Sequence, residues 1–221
     1  MTVLIAGAGP TGLMLACDLA RRGVACRVID KAPRLFVGSR AKGLQPRTQE
    51  VFDDLGVIDA VRAAGAPFPT FRMYASEEVV WERSLSEMLG VPEPKRSPAV
   101  PYPQPWLIPQ WRTDEILAER FASLGGRVEL DTELTGFTQD GDGVTAQTSR
   151  GPILARYLVG CDGGRSTVRK AMGVGYEGDT FETERTLIGD IQVDGLDGVF
   201  CHIFTKAGDI TKRFSLWNLP G

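Results

Sequence analysis

Residues 3–30 read VLIAGAGPTGLMLACDLARRGVACRVID. Val3 to Ala6 is a short unbroken apolar run that stops at glycine, the pattern of a strand buried on both faces. Over residues 11–22, Leu13, Ala16, Cys17 and Ala20 recur at helical spacing, and Gly23 supplies the stop. Residues 25–30 form a second strand that closes on Asp30. Strand, glycine turn, helix and strand make a βαβ unit. The expected class is α/β, a Rossmann-like fold with a parallel, doubly wound sheet.

The turn itself is Gly7-Ala-Gly9-Pro-Thr-Gly12. Gly7 permits the tight turn, Gly9 lets the backbone approach a pyrophosphate, and Gly12 allows the helix to pack close to the strand. The helix N-terminus, with Pro10 and Thr11 in its first turn, offers unpaired N–H groups and partial positive charge to phosphate. Asp30 stands eighteen residues after Gly12, where a carboxylate accepts from a ribose diol, with Lys31 beside it. The motif predicts a dinucleotide but does not choose between NAD and FAD. Residues 141–146 and 173–178 also satisfy the glycine pattern, yet neither lies in a strand-turn-helix, so no second nucleotide fold is expected.

Further along, helices are expected over 46–55 and 57–64, and two short strands over 71–74 and 79–81. Seven of the fourteen prolines fall between Pro92 and Pro109, which predicts a long extended connection. Thr113 is the expected cap of a helix running to Leu124. A strand over 128–130, a hairpin over 133–148 closed by Asp140-Gly-Asp-Gly143, and a single strand over 153–159 follow. The glycine-rich segment 160–164 then leads into a helix over 166–172. Strands are expected over 186–193, 199–204 and 213–217.

Composition narrows the function. The 221 residues carry 25 Lys+Arg against 28 Asp+Glu, a formal charge of −3, so no basic excess exists to neutralise nucleic acid. Cys17, Cys26, Cys161 and Cys201 form no Cys-x-x-Cys pair and His202 is the one histidine, which argues against a metal site. Scattered thiols of this kind predict a reducing, cytoplasmic setting. The apolar start is too short and glycine-rich for a membrane span, and no basic segment precedes it as in a secretory signal. His202 is expected to be structural, and the four tryptophans to be core or pocket wall rather than a specific cofactor stack.

Four segments, in order, resemble the single-component flavoprotein aromatic hydroxylases, the group of para-hydroxybenzoate hydroxylase: VLIAGAGPTGL (3–13), SRAKGLQPRTQE (39–50), IPQ (108–110) and LVGCDGGRSTVR (158–169). The likeness is closest to the actinobacterial branch acting on polyketides and rifamycins. It implies FAD as cofactor, NADPH or NADH as reductant, and hydroxylation of a phenolic or polyketide-like aromatic by dioxygen through a flavin C4a-hydroperoxide. It assigns Arg40 to the pyrophosphate, Gln110 to the ribityl chain and flavin edge, and Asp162 with Gly163 to the ribityl chain and the incoming nicotinamide nucleotide. Outside the resemblance, Arg40 reads as a surface arginine, Gln110 as an ordinary loop residue and Asp162 as a helix cap. No catalytic acid or base is named. Baeyer–Villiger oxidation and epoxidation remain alternatives on the same fold.

The resemblance divides the chain into an FAD-binding domain over 1–178, with a strand and proline-rich insertion at about 66–110, and the start of an antiparallel substrate-binding sheet over 179–221. A homodimer is compatible with it. It also predicts a later Gly-Asp-Ala-type flavin segment, which does not occur after Asp190. The expectation is therefore an N-terminal portion, and a truncated FAD-binding fragment without its own oxygenase activity is the competing reading.

Overall fold

A computed structural model describes residues 1–38, 41–179, 186–206 and 209–220. The chain opens with β1 (Val3–Ala6), α1 (Pro10–Arg21), β2 (Cys26–Ile29), β3 (Gly43–Leu44), α2 (Pro46–Asp54), α3 (Ile58–Ala63) and β4 (Ala66–Pro67). Next come β5 (Thr70–Ala75), β6 (Glu78–Arg83), α4 (Leu85–Leu89), β7 (Trp106–Leu107), α5 (Gln110–Ser123) and β8 (Val128–Glu129). Then follow β9 (Leu134–Gln139), β10 (Val144–Thr148), β11 (Ile153–Ala155), β12 (Tyr157–Gly160), α6 (Thr167–Ala171), β13 (Phe200–Lys206) and β14 (Asp209–Leu216). Two compact units result: Met1–Ser39 with Gln110–Gly189, and Arg40–Pro109 with Asp190–Gly221.

The first unit is built on a parallel sheet of order β12-β1-β2-β8. β1 lies inside it with all four residues buried, as an unbroken apolar run requires. Leu4 and Ala6 join Ile29, Leu134, Ala146, Ile153, Ala155 and Val168 in one apolar cluster, which seats the antiparallel sheet β11-β10-β9. α1 buries Leu13, Ala16 and Cys17 and packs on α5, which contributes Ile116, Leu117 and Phe121. The Cys17 thiol donates to the Leu117 carbonyl at 3.3 Å. Burial pushes that thiol up to about 11, so it is packing material and not a nucleophile. At the sheet edge, Arg27 on β2 grips Glu129 on β8 through two hydrogen bonds of 2.6 Å.

The second unit carries the mixed sheet β14-β13-β5-β6 and the small sheet β3-β7-β4. In the first of these, β13 and β14 pair antiparallel, as expected of the sheet that begins there, and β5 and β6 do the same; β13 runs parallel to β5, which the long connection between them allows. Phe68, Phe71 and Trp217 meet at centroid distances of 5.4 to 6.0 Å, and the Lys42 ammonium sits 3.7 Å above the Trp217 ring. His202 is buried, with Nδ1 2.8 Å from the Tyr74 hydroxyl and Nε2 2.7 Å from the Asp197 carbonyl oxygen. The carbonyl only accepts, so Nε2 carries the hydrogen and Nδ1 accepts from Tyr74. Both nitrogens are thereby spent on structure.

Three expectations need correction. Residues 186–193 form no strand: Leu187 is 99% and Ile188 75% exposed, and nothing described pairs with them. The run 153–159 is two strands, because the chain leaves the antiparallel sheet at Ala155 and joins the parallel one at Tyr157. α5 starts at Gln110, and Thr113 is a buried residue within it rather than its cap. Ahead of the prolines the chain also forms α4, held by a capping box in which Ser84 and Glu87 satisfy each other's backbone N–H.

Candidate dinucleotide site at the first strand-helix turn

Each glycine of the turn answers to a different constraint. Gly7 has φ +109°, and a β-carbon there would lie 2.3 Å from the Cys161 carbonyl oxygen. A β-carbon on Gly12 would lie 2.0 Å from the Gly7 carbonyl oxygen and 3.2 Å from the Cys161 side chain. These two positions are closed by neighbouring backbone. Gly9 is the opposite case, with no atom within 4 Å of its β-carbon position. It is the N-cap of α1, no side chain caps that helix, and Pro10 occupies the first turn. The N–H groups of Thr11 and Gly12 have no partner within the helix, because the first intrahelical bond runs from Leu13 N–H to the Gly9 carbonyl at 3.0 Å. α4 and α6, by contrast, are capped by Ser84 and Ser166.

Asp30, at the end of β2, holds this turn in place. Its Oδ2 accepts from Ala8 N–H at 2.7 Å and its Oδ1 from Ala32 N–H at 2.8 Å. A carboxylate has further lone pairs, so both oxygens can accept again. Asp30→Ala is expected to lower the melting temperature of the cofactor-free chain, since Ala8 is buried and its N–H would lose its acceptor, at a cost of about 1–3 kcal/mol. An unchanged melting curve would contradict this bracing role. Lys31 is exposed beside it.

The loop after β12 meets the same turn. Cys161 N–H donates to the Ala6 carbonyl at 2.7 Å, and Asp162 follows directly. Asp162 Oδ2 accepts from Thr167 N–H at 2.6 Å and Val168 N–H at 3.2 Å, so this residue does cap α6. Its Oδ1 is buried and has no partner among the described residues. Burial alone would raise this carboxyl, but hydrogen bonds from Ser166 and from the backbone of Val168, Asp162 and Thr167 outweigh it and hold it below the ordinary aspartate range. Gly163, at φ +75°, is exposed with open space around it. Arg165 is exposed, whereas Arg169 is drawn back onto the Gly164 carbonyl at 2.8 Å and the Tyr176 ring.

The structure thus brings together Gly7, Gly9, Pro10, Thr11, Gly12, Asp30, Asp162 and Gly163. Arg40 lies outside the described residues. Gln110 is the first residue of α5 rather than a loop residue. No group of three or more His, Cys, Asp or Glu side chains suited to a metal occurs among the described residues, and none of their helices is long and apolar enough to cross a membrane.

A model of the FAD binding domain family matches residues 1–208. The chain belongs to that family. It is 63% identical over 225 residues to a flavin-dependent monooxygenase of Mycobacteroides abscessus, covering 100% of this chain and 47% of the relative. Against the rifampicin monooxygenase of Streptomyces venezuelae the identity is 33% over 213 residues, 96% of this chain and 42% of the relative. Among solved structures, the flavin-dependent monooxygenase PieE in complex with FAD and substrate superposes with a TM-score of 0.70 at 26% identity, over 80% of this chain and 33% of that one. The chain therefore spans less than half the length of these relatives. The hydroxylase resemblance carried by the four segments agrees with all three.

Membership of the FAD binding domain family can be tested against the residues themselves. A diphosphate needs an uncapped helix N-terminus with room above it, and Gly9 provides both. Sugar hydroxyls need acceptors, and the orphaned Asp162 Oδ1 and the unused lone pairs of Asp30 are such acceptors. The residues fit the group. One residue escaped the sequence reading altogether: Asp114, fully buried on α5, whose Oδ2 accepts from Gln110 Nε2 at 3.4 Å. The signal was available, because Asp114 falls in the apolar stripe with Leu117 and Phe121.

Proposed function

We propose that this protein binds FAD and acts as a flavoprotein monooxygenase, with NADPH or NADH as reductant, dioxygen as co-substrate and a phenolic or polyketide-like aromatic as substrate. The reading rests on the open, uncapped start of α1 at Gly9, flanked by the Asp30 and Asp162 carboxylates. The names of the two monooxygenase relatives support it.

In this reading the N–H groups of Thr11 and Gly12 bind the pyrophosphate, with Lys31 and Arg40 adding positive charge. Asp30 accepts from the ribose, Asp162 accepts from the ribityl chain, and Gly163 lets backbone come close. Gln110 donates to and accepts from the ribityl chain and the flavin edge. When bound, FAD supplies the activation of dioxygen and the transfer of one oxygen atom to an electron-rich ring. The chain's own residues bind, orient and exclude water. A cytoplasmic location accords with the four free thiols.

The test is twofold. The purified chain should take up FAD, identified by mass after release, and should consume NADPH or NADH faster when an aromatic substrate is added, giving a product heavier by one oxygen atom. FAD uptake with no such product would retain the cofactor site and remove the monooxygenase assignment. No uptake from added FAD would remove both.

A further inference from the structure

Asp114 is a carboxyl group in an unusual place. It is fully buried on α5, a helix that also buries Thr113, Ile116, Leu117 and Phe121. Its Oδ2 accepts from Gln110 Nε2 at 3.4 Å, and its Oδ1 finds no partner among the described residues. The ordinary reasons for an acid in a helix do not apply. It stands four residues after the first helical residue, beyond the turn where the helix dipole rewards negative charge. It is not at the third position that a capping box requires. No cation among the described residues pairs with it: burial raises its carboxyl, and the hydrogen bond from Gln110 opposes this. What the carboxyl does, and leucine would not, is accept from the Gln110 amide.

We propose that Asp114 is a positioning residue that sets the Gln110 side chain by holding its Nε2 end, so that the amide turns its Oε1 acceptor end away from α5's buried face. This rests on the reading of Gln110 as an FAD ligand. An amide free to flip offers donor and acceptor interchangeably; one held at Nε2 offers a defined acceptor to a sugar hydroxyl. Asp114 acts through Gln110 and touches no cofactor itself.

The experiment uses the full chain and the variants Gln110→Ala, Asp114→Leu, Asp114→Asn and the double variant Asp114→Leu/Gln110→Ala. Free FAD is titrated into each, and the Gln110 side-chain NH2 signal, identified by its loss in Gln110→Ala, is followed by NMR without FAD. Asp114→Leu is expected to weaken FAD about tenfold, as loss of one hydrogen bond to a charged group does. Asp114→Asn keeps an acceptor and should stay within about twofold of wild type. In the Gln110→Ala background Asp114→Leu should add nothing. The Gln110 NH2 pair should be displaced from the free-amide position in wild type and Asp114→Asn, and move towards it in Asp114→Leu.

A wild-type NH2 pair already at the free-amide position overturns the proposal whatever FAD does. Additive losses in the double variant overturn it as well, since Asp114 would then act elsewhere. If Gln110→Ala weakens FAD but Asp114→Leu does not, the proposal fails and the Gln110 assignment stands. If Gln110→Ala leaves FAD affinity unchanged, the Gln110 assignment fails and the proposal falls with it.

Discussion

A Gly9→Asp chain is expected to fold as stably as wild type and to lose FAD, while Gly12→Ala is expected to lose the fold of the first unit. The two glycines lie three residues apart, and their surroundings are opposite. At Gly9 nothing lies within 4 Å of the β-carbon position, and the backbone, at φ −76° and ψ 179°, is open to any residue. Aspartate is moreover a favoured N-cap, so the cofactor-free chain should be unchanged or stabilised by up to about 1 kcal/mol. That same carboxylate would occupy the pyrophosphate's place. Two like charges about 4 Å apart cost about 4 kcal/mol at the effective dielectric of a protein surface, or roughly a thousandfold in affinity. A residue that would improve the helix alone is therefore excluded by the ligand. At Gly12 a methyl group would stand 2.0 Å from the Gly7 carbonyl oxygen, which is backbone and cannot swing aside. Separating α1 from β1 to relieve this should cost about 3 kcal/mol or more. Thermal unfolding and FAD titration of both variants separate the cases. FAD affinity within tenfold of wild type in Gly9→Asp would remove the site from this turn.

The difference between these glycines also explains how far the sequence could be read. β1, α1 and β2 were legible to within a residue or two, because their chemistry is local: an apolar run, a helical stripe, a glycine stop. The roles of Gly7 and Gly12 followed from the same pattern, although the partner they pack against, Cys161, is remote in the chain. What was not legible depends on pairing between distant segments. Residues 153–159 look like one strand because nothing local marks Arg156 as the point where the chain changes sheets. Thr186 to Val193 has strand composition but no neighbouring strand among the described residues, and a strand without a partner has nowhere to place its N–H and C=O groups but water. Two features were local and still missed. Ser84 and Glu87 have the spacing of a capping box, hidden by the prolines that follow. Asp114 lies on the buried stripe of a helix whose start was placed three residues late, which put Gln110 outside it.

Replacing Asp114 by asparagine is expected to stabilise the cofactor-free chain at pH 8 and to change nothing near pH 3.5. Burial holds the Asp114 carboxyl at about 6, against an ordinary aspartate at 3.8, and the hydrogen bond from Gln110 opposes this only in part. Below about pH 4 the folded and unfolded chains both keep the proton and the group contributes no difference. Between about 4 and 6 the unfolded chain has lost its proton while the folded chain retains it, so unfolding releases a proton and stability falls as pH rises. Above about 6 the folded chain carries a buried carboxylate and the full penalty applies, on the order of 3 kcal/mol. For a chain of this size that corresponds to a rise of roughly 6–12 °C in melting temperature for Asp114→Asn at pH 8. Asp162 and Glu129, whose carboxyls the fold holds low, act in the reverse sense, losing their contribution as pH falls. They are common to both chains and cancel in the comparison. A stability difference that stays constant from pH 3.5 to 8 would mean that Asp114 does not titrate in this range in the folded chain. A difference that grows across the window would establish that the fold carries a destabilising acid, whose hydrogen-bond partner among the described residues is the Gln110 amide that we assign to the cofactor.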